Sequence, residues 1–147
     1  MNRAAWGWCP SILRPMPLDD GLMVRIRLWM DEMTADQALG LADLAERYGS
    51  GLIELTNRSN LQLRGLTEAE HAPLAAALEA LGLARVDLTP SGRVNVTLSP
   101  LRPPHVDGLG EMLSTALSDA KYKDLPEKFG FLIDAGGTRI MDQTPGD

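Results

Sequence analysis

Arg25, Arg27 and Arg64 fall at alternate positions of short apolar segments, and Arg58 stands in the polar run Asn57-Arg58-Ser59-Asn60 between two of them. Guanidinium groups on a rigid surface offer planar forks of N–H donors, the chemistry that grips a carboxylate in a bidentate way. If Val24, Ile26, Leu28, Ile53, Leu55, Leu61 and Leu63 face a core, strand alternation throws Arg25, Arg27, Glu54, Thr56, Gln62 and Arg64 onto the opposite face. Arg58 then crowns the turn beside them. Two readings stay open on pattern alone: an anion-receiving surface of arginines and neutral hydrogen-bonders, or a solvated outer face on which Glu54 pairs one arginine. Of the 14 basic residues all but Lys121, Lys123 and Lys128 are Arg, which suits carboxylate recognition and equally suits a coding bias for Arg at exposed sites.

The elements that must position these groups follow from periodicity and capping. Val24-Arg25-Ile26-Arg27-Leu28 alternates at period two and reads as a half-buried strand. Thr34-Ala35-Asp36-Gln37 is a capping box that opens a helix with Ala38, Leu41, Ala42, Ala45 and Tyr48 on one face, ended by Gly49 and Gly51. Leu52 to Thr56 and Leu61 to Gly65 read as two strands of a hairpin. Thr67-Glu68-Ala69-Glu70 is a second capping box, before a helix with the stripe Leu74, Leu78 and Leu81 and a terminal Gly82. His71 in its first turn reads as a surface residue, and Leu83 to Leu88 reads as a fourth strand. Strand, helix, strand, strand, helix, strand is the split βαβ order of a ferredoxin-like α+β sandwich, with both helices on one face of an antiparallel sheet.

After Thr89 the texture changes. Val94 to Leu98 reads as a strand, Pro100, Pro103 and Pro104 as a rigid connection, and Leu109 to Asp119 as a helix. Phe129 to Ile133 reads as a strand, with Asp134-Ala135-Gly136-Gly137 turning into Arg139-Ile140-Met141. The expected organisation is therefore a lead segment over 1–20, the ferredoxin-like half domain over 21–89, and the incomplete start of a second α+β domain over 90–147.

The 147 residues suffice for a real core, and 44% hydrophobic against 23% charged residues exclude disordered, collagen-like and coiled-coil classes. A net charge of -6 argues against broad phosphate neutralisation, so no nucleic-acid partner is expected and any bound anion is captured locally. Cys9 is the sole cysteine, and with His71 and His105 it offers no spacing for a metal or cluster. No apolar run reaches the roughly 18 residues of a membrane helix, and the first residues lack a signal-peptide pattern. The expectation is a cytoplasmic protein without a membrane partner.

Leu55-Thr56-Asn57-Arg58-Ser59-Asn60-Leu61-Gln62-Leu63-Arg64-Gly65 resembles the signature hairpin of the nitrite and sulfite reductase ferredoxin-like half domain, a Thr-Asn-Arg followed by an alternating strand and a glycine. Leu125-Pro126-Glu127-Lys128-Phe129 resembles that family's Leu-Pro-x-Lys-Phe segment, and Asn95-Val96 with Ser99-Pro100-Leu101 its Asn-Val and Ser-Pro stretch. Within the superfamily, Cys9-Pro10-Ser11-Ile12-Leu13-Arg14-Pro15-Met16, Asp20-Gly21-Leu22-Met23-Val24-Arg25 and the later Lys128-Phe129-Gly130-Phe131 are most similar to the precorrin-3B synthase family.

That resemblance implies the N-terminal part of an oxidoreductase of cobalamin biosynthesis, an oxygen-using monooxygenase that hydroxylates the tetrapyrrole precorrin-3A and forms a lactone. It implies a 4Fe-4S cluster in the full-length family member, with ligands absent from this chain, and hence a fragment inactive by itself. The tetrapyrrole's carboxylates would meet Arg58, Arg64, Gln62, Asn60, Arg25 and Arg27, with Lys128 as a further anion contact; the catalytic residues stay unassigned. A sulfite or nitrite reductase fragment carrying sirohaem is the alternative, against which stands Gly130 where sulfite-type reductases have a second lysine. A stand-alone ferredoxin-like anion-binding module is the other. Expected partners are the tetrapyrrole, the remaining C-terminal half of the same protein, and a second copy of the fragment in a homodimer.

Overall fold

The structure is a computed structural model that describes residues 9–84, 95–122, 124–126, 129–135 and 141. Its first unit is a four-stranded antiparallel sheet of β1 (Met16–Leu18), β2 (Gly21–Arg27), β3 (Ile53–Leu55) and β4 (Asn60–Leu66), in the order β1-β2-β4-β3. Helices α1 (Ala35–Tyr48) and α2 (Glu68–Ala80) both pack on one face of it. The expected antiparallel α+β arrangement is therefore present. Of the expected fourth strand, Leu83 and Ala84 are buried but lie outside any strand, and residues 85–88 lie outside the described residues.

β1 lies within the lead segment over 1–20, where the sequence pattern gives no strand. Pro17 lacks the N–H a ladder uses, but an edge strand tolerates it, and β1 is the outermost strand beside β2. The two-residue turn Asp19-Asp20 joins them. Gly21 follows it at φ 120, where a Cβ would come within 2.7 Å of the Leu66 carbonyl oxygen, so only glycine fits.

Both capping boxes open their helices where expected. Thr34 accepts from the Gln37 N–H while Gln37 accepts from the Thr34 N–H, and the Glu70 carboxylate accepts from the Thr67 N–H at 2.8 Å. α2 ends in a Schellman turn, with Gly82 N–H bonded to Glu79 and Leu83 N–H to Leu78, Gly82 taking φ 75. The core holds Val24, Ile26, Leu61 and Leu63 from the sheet and Leu41, Ala45, Leu74 and Leu78 from the helices. Burial of each large aliphatic side chain contributes about 1.5–3 kcal/mol. Between the pairs Leu22/Leu66 and Val24/Leu63 the register slips by one residue, and Gly65 at φ 74 supplies the bulge that returns Leu66 to the core side.

Three expectations of burial fail. Ala42 is exposed on α1, because Leu44 rather than Ala42 leans on the core. Ile53 and Leu55 lie on the core side of the sheet yet are 38% and 80% exposed, because the helices cover β2 and β4 and leave edge strand β3 bare. His71 is no surface residue: it is half-buried, and its Nε2 lies 2.7 Å from the Ile12 carbonyl oxygen, tying the N-terminal segment to α2.

The second unit pairs β5 (Asn95–Leu98) with β6 (Gly130–Ile133) in parallel, joined through α3 (His105–Leu117). Parallel strands need such a crossover. α3 begins four residues earlier than the apolar pattern suggested, with Pro104 as its N-cap. The expected hairpin into Arg139-Ile140-Met141 lies outside the described residues except for Asp134, Ala135 and Met141, whose N–H bonds to Asp134 Oδ2 at 3.0 Å. The buried cluster here is only Leu98, Val106 and Ile133 among the described residues, with Met30 packed against it from the first unit.

Candidate functional site

The outer face of the sheet carries one polar row across three strands. Register sets Arg25 opposite Gln62 and Glu54 opposite Gln62, so β2, β4 and β3 each contribute one side chain. Gln62 is buried, 7% exposed, and its amide orientation follows from its neighbours: the oxygen accepts from Arg25 Nε at 3.1 Å and Nη2 at 2.8 Å, and the nitrogen donates to Glu54 Oε2 at 3.2 Å. Arg64 Nε donates to the same Glu54 oxygen at 2.9 Å. The result is a chain Arg25–Gln62–Glu54–Arg64 that fixes two guanidiniums and satisfies the buried amide between them. Glu54 pairs one arginine, Arg64, as the solvated-face reading expects, and Arg25 is held through Gln62.

The hairpin tip explains how Arg58 is placed. Thr56 N–H bonds to the Asn60 carbonyl at 2.9 Å, while Thr56 Oγ1 accepts from the N–H groups of Asn60 at 3.1 Å and Arg58 at 3.4 Å. The buried Asn60 amide donates to the Arg58 carbonyl at 2.9 Å, and Ser59 takes the left-handed φ of 54 that closes the turn. Asn60 thus holds the backbone of Arg58 rather than standing among the guanidiniums. Arg27 faces Asn60 across the ladder and shares the side of Arg25. At the other end of β2, Met23 alternates onto this same side and is 5% exposed, so the face is not uniformly solvated. Lys128 lies outside the described residues.

A second polar cluster, which the sequence reading missed, sits where the two units meet. The 3-10 turn Trp29–Asp31 has Met30 and Asp31 both at φ 58, a conformation costly for side-chain-bearing residues. Asp31 Oδ2 accepts the Leu98 N–H at 2.8 Å. Burial pushes the Asp31 carboxyl up to about 6, against the opposing pull of the Leu98 N–H and of Arg102, with Glu32 adding to the rise. The Arg102 side chain is 5% exposed; Nε donates to Asp107 at 2.5 Å, Nη1 to the Ser99 carbonyl at 3.2 Å, and Nη2 to Glu32 and the Met30 carbonyl. A cavity of about 470 Å³ opens beside it, between Trp29, Met33, Arg102 and Glu111. Nothing local marks Arg102 in the sequence; its partners Met30 and Glu32 lie some 70 residues away.

His105 opens α3 in an exposed position, and Cys9 is half-buried. Among the described residues no group of three His, Cys, Asp or Glu could hold a metal ion. With Cys9 the sole thiol of the chain, these residues do not fit an iron-sulfur cluster. No described helix is long and apolar enough to cross a membrane.

Comparison with known proteins places the same residues in context. The nitrite/sulfite reductase ferredoxin-like half domain matches residues 14–81. The chain is 37% identical to a precorrin-3B synthase from Sinorhizobium over 138 residues, which covers 89% of this chain and 29% of that protein. It is 31% identical to a ferredoxin-nitrite reductase from Synechococcus elongatus over 141 residues, 88% of this chain and 27% of the reductase. A ferredoxin-nitrite reductase from Leptolyngbya laminosa is 27% identical over 138 residues, 86% of this chain and 27% of that protein. The chain thus spans less than a third of the length of each of these relatives.

Proposed function

Because the chain belongs to the nitrite/sulfite reductase ferredoxin-like half-domain family and is related to its oxidoreductases, we propose that its sheet face receives the carboxylates of a tetrapyrrole. The observation that carries the reading is the row itself: Arg25 and Arg64 are fixed on one surface through Gln62 and Glu54 in a protein of net charge -6. Pre-positioned guanidiniums bind a carboxylate-rimmed macrocycle with little ordering cost and fix its orientation. Arg58, held at the tip by Thr56 and Asn60, reaches the ligand from the end of the face, and Arg27 extends it along β2.

The whole protein, on this reading, is a precorrin-3B synthase-like oxidoreductase of cobalamin biosynthesis. Its oxygen-dependent hydroxylation and lactone formation on precorrin-3A would use an iron-sulfur centre supplied elsewhere in the protein. This chain contributes binding and orientation; redox chemistry is not its part. The greater identity to the Sinorhizobium synthase, 37% against 31% and 27% for the reductases, favours a precorrin over sirohaem as the ligand.

The test is a titration of the protein with a uroporphyrin-type polycarboxylate porphyrin, followed by absorbance at several salt concentrations. Saturable binding should weaken with salt, and Arg25→Ala and Arg64→Ala should each weaken it about tenfold, the equivalent of one lost charge-assisted contact. Arg47→Ala, on the exposed side of α1, is the control. Binding that is absent, or that all three substitutions change alike, overturns the reading.

A further inference from the structure

We propose that Glu54 is a built-in competitor of the anion face: its carboxylate occupies the place of a ligand carboxylate between Arg64 and Gln62 and thereby sets how many carboxylates a ligand must carry to bind. The inference rests on the reading of this face as an anion receiver.

A single oxygen of Glu54, Oε2, accepts from both Arg64 Nε at 2.9 Å and the Gln62 amide at 3.2 Å. Those are the two donors an incoming carboxylate would seek in the middle of the row. With Glu54 in place, the Arg64 guanidinium and the Gln62 amide both meet one fixed negative charge; with Glu54 displaced, that guanidinium and the amide donor become available to the ligand. Displacement is physically accessible. The Arg64 and Glu54 side chains are 35% and 42% exposed, and half-exposed ion pairs hold together weakly. Glu54 also stands on β3, the outermost of the described strands on its side of the sheet, and its side chain is 42% exposed.

Gln62 gives the exchange its chemical selectivity. Its amide oxygen is committed to Arg25, so its nitrogen must find an acceptor once Glu54 leaves, and the residue is too buried to leave that donor bare. A carboxylate restores both the acceptor for Gln62 and the negative charge opposite Arg64; a neutral ligand oxygen restores only the acceptor. A ligand with one carboxylate merely replaces Glu54 and gains little. A ligand with several carboxylates replaces Glu54 and engages further arginines as well, so the face discriminates by carboxylate number.

The experiment compares wild type, Glu54→Gln and Glu54→Ala in titrations with a polycarboxylate porphyrin and with a monocarboxylate such as benzoate, after circular dichroism has shown that each variant is folded. Both variants should bind the porphyrin about tenfold more tightly than wild type and should gain measurable benzoate binding; adding Arg64→Ala should remove the gain. If wild type binds the porphyrin and neither variant binds it more tightly, Glu54 is no competitor and the proposal falls while the anion face stands. If neither wild type nor either variant binds the porphyrin, the anion face itself is refuted, and the competitor with it.

Discussion

Replacing Asp31 with asparagine should stabilise the protein at neutral pH and flatten its stability between about pH 4 and 6. Asp31 sits at φ 58, a left-handed conformation that Asn tolerates as well as Asp does, so the backbone should not object. The Asn oxygen can still accept the Leu98 N–H, and only the charge is lost. The native carboxyl is pushed from 3.8 to about 6, chiefly by burial. A carboxyl whose pKa is higher folded than unfolded favours the native state while it is protonated, below about pH 4, and that advantage is lost as pH rises to about 6. Each pH unit of difference is worth about 1.4 kcal/mol, but Asp31 keeps contact with water, so we expect about 1.5 kcal/mol rather than the full value. With an urea slope of about 1–3 kcal/mol per molar, the midpoint at pH 7.5 should rise by roughly 0.5–1.5 M. At pH 4 the two proteins should unfold together. Urea titrations at both pH values, read by circular dichroism, measure this. A variant less stable than wild type at pH 7.5 would refute the reasoning, because the charged carboxylate's contacts with Leu98 and Arg102 would then outweigh its desolvation.

Arg102→Ala should destabilise the protein by about 3 kcal/mol, since it strips the donors from the Ser99 and Met30 carbonyls and removes the counter-charge of Glu32 and Asp107. Arg102→Lys should recover little of this, because one ammonium cannot span four acceptors; a urea midpoint for Arg102→Ala within error of wild type would sink the idea. Arg58→Ala should weaken porphyrin binding by about 1.5–3 kcal/mol without loss of thermal stability, while Arg47→Ala leaves binding unchanged; equal effects would mean that the tip arginine is merely solvated. β3, the outermost described strand on its side of the sheet, with Leu52 67% and Leu55 80% exposed, should pair with a second copy into a two-fold homodimer, seen by light scattering and broken by Leu55→Lys. A strictly monomeric chain at high concentration refutes it.

What the sequence made legible follows the range of the interactions involved. Thr34 and Thr67 announce their helices because a capping box closes within four residues, and β2 and β4 are readable because alternation needs no distant partner. β1 escapes notice because Pro17 counts against a strand until one knows that the strand is an edge. Ile53 and Leu55 show the limit of alternation: it assigns them correctly to the core side, but whether helices reach over that side depends on where α1 and α2 land. The junction was invisible for the same reason. Asp31 and Arg102 acquire meaning only when Leu98 and Glu32 arrive from about 70 residues away.

The two open readings of the arginine face, anion receiver or solvated surface, turn on Gln62. Gln62 is the most buried polar side chain in the row and the one member of it that touches both Arg25 and Glu54. A buried amide demands an acceptor on one side and a donor on the other, or it costs about 1–3 kcal/mol. Satisfying Gln62 therefore forces Arg25 and, through Glu54, Arg64 into fixed places. Arg25 and Arg64 are thus ordered by the needs of the sheet itself, and that prior ordering is what the proposed binding surface would draw on.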